Sequence, residues 1–190
     1  MKRIKNYIFR HFYYFCNRKK FGFLARNAVV QSLLRLDGRE NIYIGNKVII
    51  QKFTWLAALP LTNHEDCRLE IGNGCQIGHF NHIYATYRIV FGENVLTADK
   101  VYIADNRHIY ENIDEAILDQ PVKQLNEVYI GEGSWIGENV CIIGASIGKH
   151  CVIGANSVVN ESIPDYCIAV GAPAKVIKKF NFINNRWEKI

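Results

Sequence analysis

A six-residue beat constrains this chain more than any other feature. An aliphatic residue followed by glycine recurs as Ile44-Gly45, Ile71-Gly72, Ile77-Gly78, Ile130-Gly131, Ile136-Gly137, Ile147-Gly148 and Ile153-Gly154, with Phe91-Gly92 as a variant. Four residues after the aliphatic position stands a small or β-branched residue, as in Cys75, Val140, Cys151 and Ser157. Six is not a helical period and is far shorter than a helical-repeat unit. It implies a solenoid of short parallel strands in which each coil stacks on the last. The aliphatic side chain points inward onto its counterpart one coil later, and the glycine permits a corner where a side chain would interfere. Three hexads close one triangular coil of about eighteen residues; Ile147, Ile153 and Val159 lead three in succession.

The 190 residues suit one domain, and 49% apolar with 22% charged residues supplies a core under an ordinary soluble surface. Six cysteines invite a disulfide framework, but Cys75, Cys141, Cys151 and Cys167 fall inside the repeat and no Cys-x-x-Cys pair occurs. Reduced thiols in a cytoplasmic protein are the simpler account.

The first 36 residues lack the beat. Residues 1–26 hold eight of the 23 basic residues, and no acid precedes Asp37; the remainder has 15 basic against 18 acidic residues, so the net charge of +5 is an N-terminal property. Tyr7, Phe9, Phe12, Tyr13, Tyr14, Phe15, Phe21 and Phe23 are interleaved. This is too charged for a membrane span and lacks the apolar run of a signal peptide. Two readings stay open. Residues 1–26 form a helix lying on an anionic leaflet, or a helix packing its aromatics across the end of the solenoid or onto a neighbouring subunit. Nucleic acid is not expected, because the basic cluster is confined to one terminus and no binding motif accompanies it. The expected organisation is a basic aromatic arm over 1–36, a solenoid over 37–180 and a tail over 181–190. Residues 51–68 read as an irregular coil with a loop, and the acidic stretch 109–127 before and after Pro121 reads as a protruding insertion.

The hexads, Val101-Tyr-Ile-Ala-Asp-Asn-Arg-His108, Trp135-Ile-Gly-Glu-Asn-Val, Ile153-Gly-Ala-Asn-Ser-Val-Val and Val170-Gly-Ala-Pro-Ala-Lys-Val-Ile177 resemble the hexapeptide-repeat acyltransferases over roughly residues 40–180. Within that family the likeness is to sugar O-acetyltransferases. The resemblance implies an all-β solenoid, a left-handed parallel β-helix; the left hand comes from the family, since general crossover rules favour the right. It also implies transfer of an acetyl group from acetyl-CoA to a sugar hydroxyl, with no metal. A neutral imidazole suits the general base, and backbone N–H groups suit the developing oxyanion.

By motif match, His108 is that base. Asp105 either orients the imidazole or serves a turn. Arg107, where many relatives carry a second histidine, is placed against the acceptor, as is Asn81. For acetyl-CoA the resemblance points to Trp135, Glu138, Ala155, Asn160, Lys175 and Lys178, with the lysines meeting phosphates. Relatives often carry Thr-Lys where Asn160-Glu161 stands here, and an acid is unhelpful beside phosphate. The donor groove is expected between subunits of a homotrimer. His11, His64 and His150 are assigned no role. His79 and His82 support a runner-up, a β-helix carbonic anhydrase-like zinc site. The third reading is a non-catalytic solenoid used for assembly. The expected acceptor is a surface polysaccharide or its precursor, met in the cytoplasm or at the inner membrane face.

Overall fold

Side chains one coil apart meet in register, and this builds the molecule. The computed structural model describes residues 12–190. On the first wall of a three-sided prism, Leu24, Ile44, Ile71, Phe91, Ile130, Ile147 and Ile163 pair in turn through parallel strands and bridges. The second wall stacks Val29–Val30, Ile49–Ile50, Gln76–Ile77, Leu96–Thr97, Trp135–Ile136, Val152–Ile153 and Cys167–Val170. The third stacks Arg35–Asp37, Trp55–Ala58, His82–Ala85, Tyr102–Ala104, Cys141–Ile143 and Val158–Val159. Inward residues are almost all fully buried, and each large one contributes about 1.5–3 kcal/mol.

The glycines act through proximity. A Cβ on Gly131 would lie 2.3 Å from the carbonyl carbon of Gly148 on the next coil. The left-handed backbone positions come two residues later, at Lys47, Gly74, Asn94, Gly133 and His150.

Four expected boundaries change. The solenoid starts within the stretch read as an arm, because Phe23–Leu24, Val29–Val30 and Arg35–Asp37 already pair with the next coil. Leu24, Ala28 and Val30 bury without any Ile-Gly signal. Residues 12–17 are helical, and Tyr13 and Tyr14 pack against the core while Phe12 and Phe15 stay exposed. Residues 1–11, which carry half of the basic cluster of 1–26, lie outside the described residues. At the other end the tail is no separate piece. Lys175–Asn181 and Arg186–Lys189 form an antiparallel hairpin that extends the second wall beyond Cys167–Val170. It covers an edge that would otherwise remain unpaired.

The insertion begins earlier than its acidic stretch. Asn106–His108 pairs antiparallel with Val122–Gln124, forming a ribbon at its foot. The other irregularity narrows to residues 59–67, since Trp55–Ala58 keeps full register with His82–Ala85. Both loops leave the same corner, between the third wall and the first wall of the next coil. Thr62 Oγ1 lies 2.5 Å from Gln124 Oε1 and ties them together. Among the described residues no helix is long and apolar enough to cross a membrane.

Candidate active site

Asp105 directly follows the third-wall strand Tyr102–Ala104, and it is fully buried. A buried carboxylate is costly unless donors surround it. Here the backbone N–H groups of Thr86, Tyr87 and Arg88 donate to it at 2.8, 2.8 and 2.7 Å, and Asn106 Nδ2 donates at 2.9 Å. The Thr86 hydroxyl stands 3.1 Å away and also reaches Gln124 Oε1 at 2.8 Å. Gln124 Nε2 closes the network by donating to the Asp105 carbonyl at 2.7 Å. The carboxylate therefore fastens the turn at 86–88 to the foot of the insertion. The expectation that it orients the His108 imidazole is corrected: its acceptor sites are committed to the turn and to Asn106.

Three residues on, His108 ends the outgoing strand of the ribbon opposite Val122, and it is exposed. Its backbone is fixed on both sides. The ribbon continues through Ile109 N donating to the Pro121 carbonyl at 3.0 Å. Arg107 Nη1 donates to the His108 carbonyl at 3.1 Å, and its Nη2 to Glu111 Oε1 at 2.8 Å. The guanidinium also lies 4.5 Å from the centre of the Tyr110 ring. Arg107 holds the Glu111 carboxyl down at about 2, mainly through their hydrogen bond, with the Tyr110 N–H helping. An exposed imidazole thus stands at the base of a braced projection.

The residues expected at acetyl-CoA gather elsewhere. Trp135 points outward from the second wall, and the register places Val152, Ile168, Lys178 and then Lys189 in line beyond it. Three strand spacings of about 4.8 Å separate Trp135 from Lys178 by about 14 Å. Glu138 and Ala155 follow on the corner between the second and third walls, where the Asn156 N–H donates to the Glu138 carbonyl at 2.8 Å. Glu138 is engaged with Lys100 at 3.1 Å. Lys175 stands opposite Val170 and pairs with Glu161 at 3.4 Å, so the acid beside Asn160 has a cationic partner of its own. Asn160 is exposed just past the third-wall strand Val158–Val159. Within the chain, His108 and the Trp135–Lys178 strip occupy different sides of the prism.

Asn81 does not reach an acceptor. It is 1% exposed, donates to the Gly78 and Ala98 carbonyls and to Thr97 Oγ1, and accepts from the Val101 N–H. It fastens one coil to the next in place of the usual small residue, which corrects the substrate-contact expectation. His79 lies 3.3 Å from Asp99. His82 stacks on Trp55 at 3.9 Å and meets Tyr102 edge-on at 5.2 Å, and burial lowers its pKa. Among the described residues no group of three or more His, Cys, Asp or Glu side chains is arranged to hold a metal ion. Sequence reading missed Gln124, whose partners Thr62 and Thr86 lie far away in the chain.

No family model matches the chain. It is 43% identical over 111 residues to a probable acetyltransferase of Mycobacterium tuberculosis, covering 58% of this chain and 37% of that one. It is 37% identical over 121 residues to an Escherichia coli protein named for lipopolysaccharide biosynthesis O-acetyl transfer, covering 60% and 62%. It is 34% identical over 110 residues to the galactoside O-acetyltransferase of Escherichia coli, covering 53% and 54%. The chain thus spans less than two thirds of the length of each of these relatives. Among solved structures, an N-acyltransferase from Bacillus cereus in complex with dTDP and 3-hydroxybutyryl-CoA superposes with TM-score 0.73 over 86% of each chain, at 21% identity. A maltose O-acetyltransferase from Clostridium difficile superposes with TM-score 0.52 over 86% of this chain and 72% of that one, at 27% identity.

Proposed function

We propose that the chain is a hexapeptide-repeat acyltransferase that transfers an acetyl group from acetyl-CoA to a sugar hydroxyl. The observation that carries the reading is His108, exposed at the foot of a projection whose backbone Asp105, Gln124 and Arg107 brace. The neutral imidazole takes the hydroxyl proton as the alkoxide oxygen bonds to the thioester carbonyl carbon. Backbone N–H groups meet the negative charge that develops on the carbonyl oxygen. The tetrahedral intermediate then breaks its carbon–sulfur bond, and the imidazolium returns its proton to the departing thiolate. Arg107, on the same strand, faces the acceptor.

The donor lies along the second wall, with its thiol end at Trp135 and its phosphates at Lys175 and Lys178. Glu138, Ala155 and Asn160 stand along the same path. Because this strip and His108 sit on different edges of one protomer, a homotrimer completes the site, the base of one copy serving the donor strip of its neighbour. The coils wind with a left hand, as in the family. The acceptor is a surface polysaccharide or its precursor, reached in the cytoplasm or at the inner membrane face, where residues 1–26 supply cations to an anionic leaflet.

Replacing His108 with alanine is expected to lower acetyl transfer about 10²–10⁴-fold. Thiol release across a sugar panel measures it, and undiminished transfer removes the base assignment.

A further inference from the structure

The outward face of the first wall carries side chains that the reaction above leaves unused. Register places Phe23, Tyr43, Glu70, Val90 and Tyr129 in one row, each a coil from the next. Rings therefore stand on the first, second and fifth rungs of this row, with Glu70 and Val90 between them. Three strand spacings of about 4.8 Å put Tyr43 and Tyr129 about 14 Å apart. Between them lies a cavity of about 600 Å³, bounded along one side by the glycine corner of Gly45, Gly72 and Gly92. That volume falls within the range of small-molecule sites.

Glycines make room for both end walls of this trough. A Cβ on Gly22 would lie 2.6 Å from the Tyr43 ring, and one on Gly92 would lie 3.1 Å from the Tyr129 hydroxyl. Arg68 covers Tyr43, its guanidinium 3.9 Å from the ring centre, and it pairs with Glu70 at 3.0 Å. Asn73 Nδ2 donates to Glu93 Oε1 at 2.9 Å. Each carboxylate thus spends one oxygen on a neighbour and, among the described residues, keeps the other uncommitted. Tyr129 is 43% exposed and Phe23 51%. The trough offers open ring faces, spare acceptor oxygens, and two carboxylates against one guanidinium.

Those properties select an occupant. An anion would meet an excess of negative charge. An apolar chain would bury both carboxylates without donors. A saccharide satisfies both surfaces: its hydroxyls donate to the carboxylate oxygens, and its C–H groups lie against the negatively polarised ring faces. We propose that this trough binds a neutral oligosaccharide segment, at a place apart from His108. Tyr129 comes five residues after Gln124, on the strand that receives the returning ribbon. The trough therefore ends on the strand that follows the His108 projection, and a glycan seated there has its distant units held while another unit reacts. This last step rests on the sugar-acetylation reading above.

Calorimetric titration of the full chain with maltotriose, cellotriose, trigalacturonate and glucose tests the trough without any acetyl transfer. At least one neutral trisaccharide is expected to bind at millimolar concentration or below, with glucose and trigalacturonate at least about tenfold weaker. Tyr129→Ala is expected to weaken the binding at least about tenfold, and Glu93→Gln about threefold. Both side chains are exposed, and circular dichroism checks the fold of each variant. No binding of either neutral trisaccharide, binding unchanged in either variant, or tighter binding of trigalacturonate overturns the proposal. A loss of oligomeric mass in Tyr129→Ala, read by sedimentation, also overturns it and makes this wall a contact between copies of the chain. Glycan binding by a chain that transfers no acetyl group sinks the acetyl-transfer reading and leaves the trough standing. Acetyl transfer to a trisaccharide that shows no binding, with its KM unmoved in Tyr129→Ala, does the reverse.

Discussion

Along the first wall, seven side chains from Leu24 to Ile163 stack without a polar atom between them. At the corner after the third wall, the buried centre is one carboxylate, Asp105, wrapped by N–H donors. Both places join successive coils. The wall does so through contact area, which any aliphatic group of similar size supplies. The corner does so through directed bonds, which only an acceptor of that shape satisfies. The difference explains where the chain departs from its repeat. A dry ladder tolerates no excursion, because an extra residue would shift every later side chain to the wrong face. The corner accommodates both residues 59–67 and the long insertion, because a polar network can anchor irregular backbone.

The comparison is tested most strongly by removing a rung. Ile130 is fully buried between Phe91 and Ile147, and Ile130→Ala is expected to cost about 2–5 kcal/mol in urea unfolding. Activity per folded molecule should survive. A loss under 1 kcal/mol would mean that the stack is not what holds coils together. Asp105→Asn should cost less, about 1–3 kcal/mol, by turning an amide donor toward N–H groups that need an acceptor. Its activity should fall more than its stability, since the ribbon bearing His108 hangs from that carboxylate. The pH dependence of the remaining activity should keep its wild-type midpoint. A displaced midpoint would restore Asp105 to a direct role with the imidazole.

The same contrast governs what the sequence discloses. Coils whose corners crowd glycine against glycine announce themselves, because the close approach of Gly131 to Gly148 leaves no other residue type. The first coil has an end exposed to the helix at 12–17 rather than to another coil, so Leu24 and Val30 stack without that signature. The hairpin is hidden for another reason. Antiparallel pairing at a solenoid's edge needs no hexad, and Lys175-Val-Ile-Lys-Lys-Phe180 carries none. The motif marks His108 as a candidate. The work of Asp105 was not findable, since its donors at 86–88 lie 17 to 19 residues back and converge only through coil stacking.

The corner should also respond to acid while the ladder does not. Arg107 and the Tyr110 N–H hold Glu111 at about 2, below its ordinary 4.5. A lowered folded value favours the clasp above pH 4.5, and that contribution fades as pH falls from 4.5 toward 2. Carboxyl chemical shifts should show the low midpoint, and Arg107→Ala should return it toward 4.5. Amide exchange in the insertion should then quicken near pH 3, with the Ile130 rung still protected. Equal loss of protection in both places would mean that the projection and the stack melt as one unit.

The gentlest test concerns the thiols, which follow the same division between wall and surface. All six cysteines are free; Cys16 is exposed, whereas Cys67, Cys75, Cys151 and Cys167 are buried. Burial pushes the Cys75 thiol up to about 11 and the Cys67 thiol up to about 12, where the Asp105 charge adds to the effect. The thiolate is the reactive form, so at pH 8 neither should titrate with a disulfide reagent in the folded chain. Cys16 should react at once, and Cys67 and Cys75 only as urea unfolds the prism. Cys67 comes just before the strand Arg68–Ile71, and Cys75 lies between that strand and Gln76–Ile77. If Cys67 reacts well before Cys75, the loop corner opens ahead of the wall, and the two kinds of junction differ in local stability as well as in chemistry.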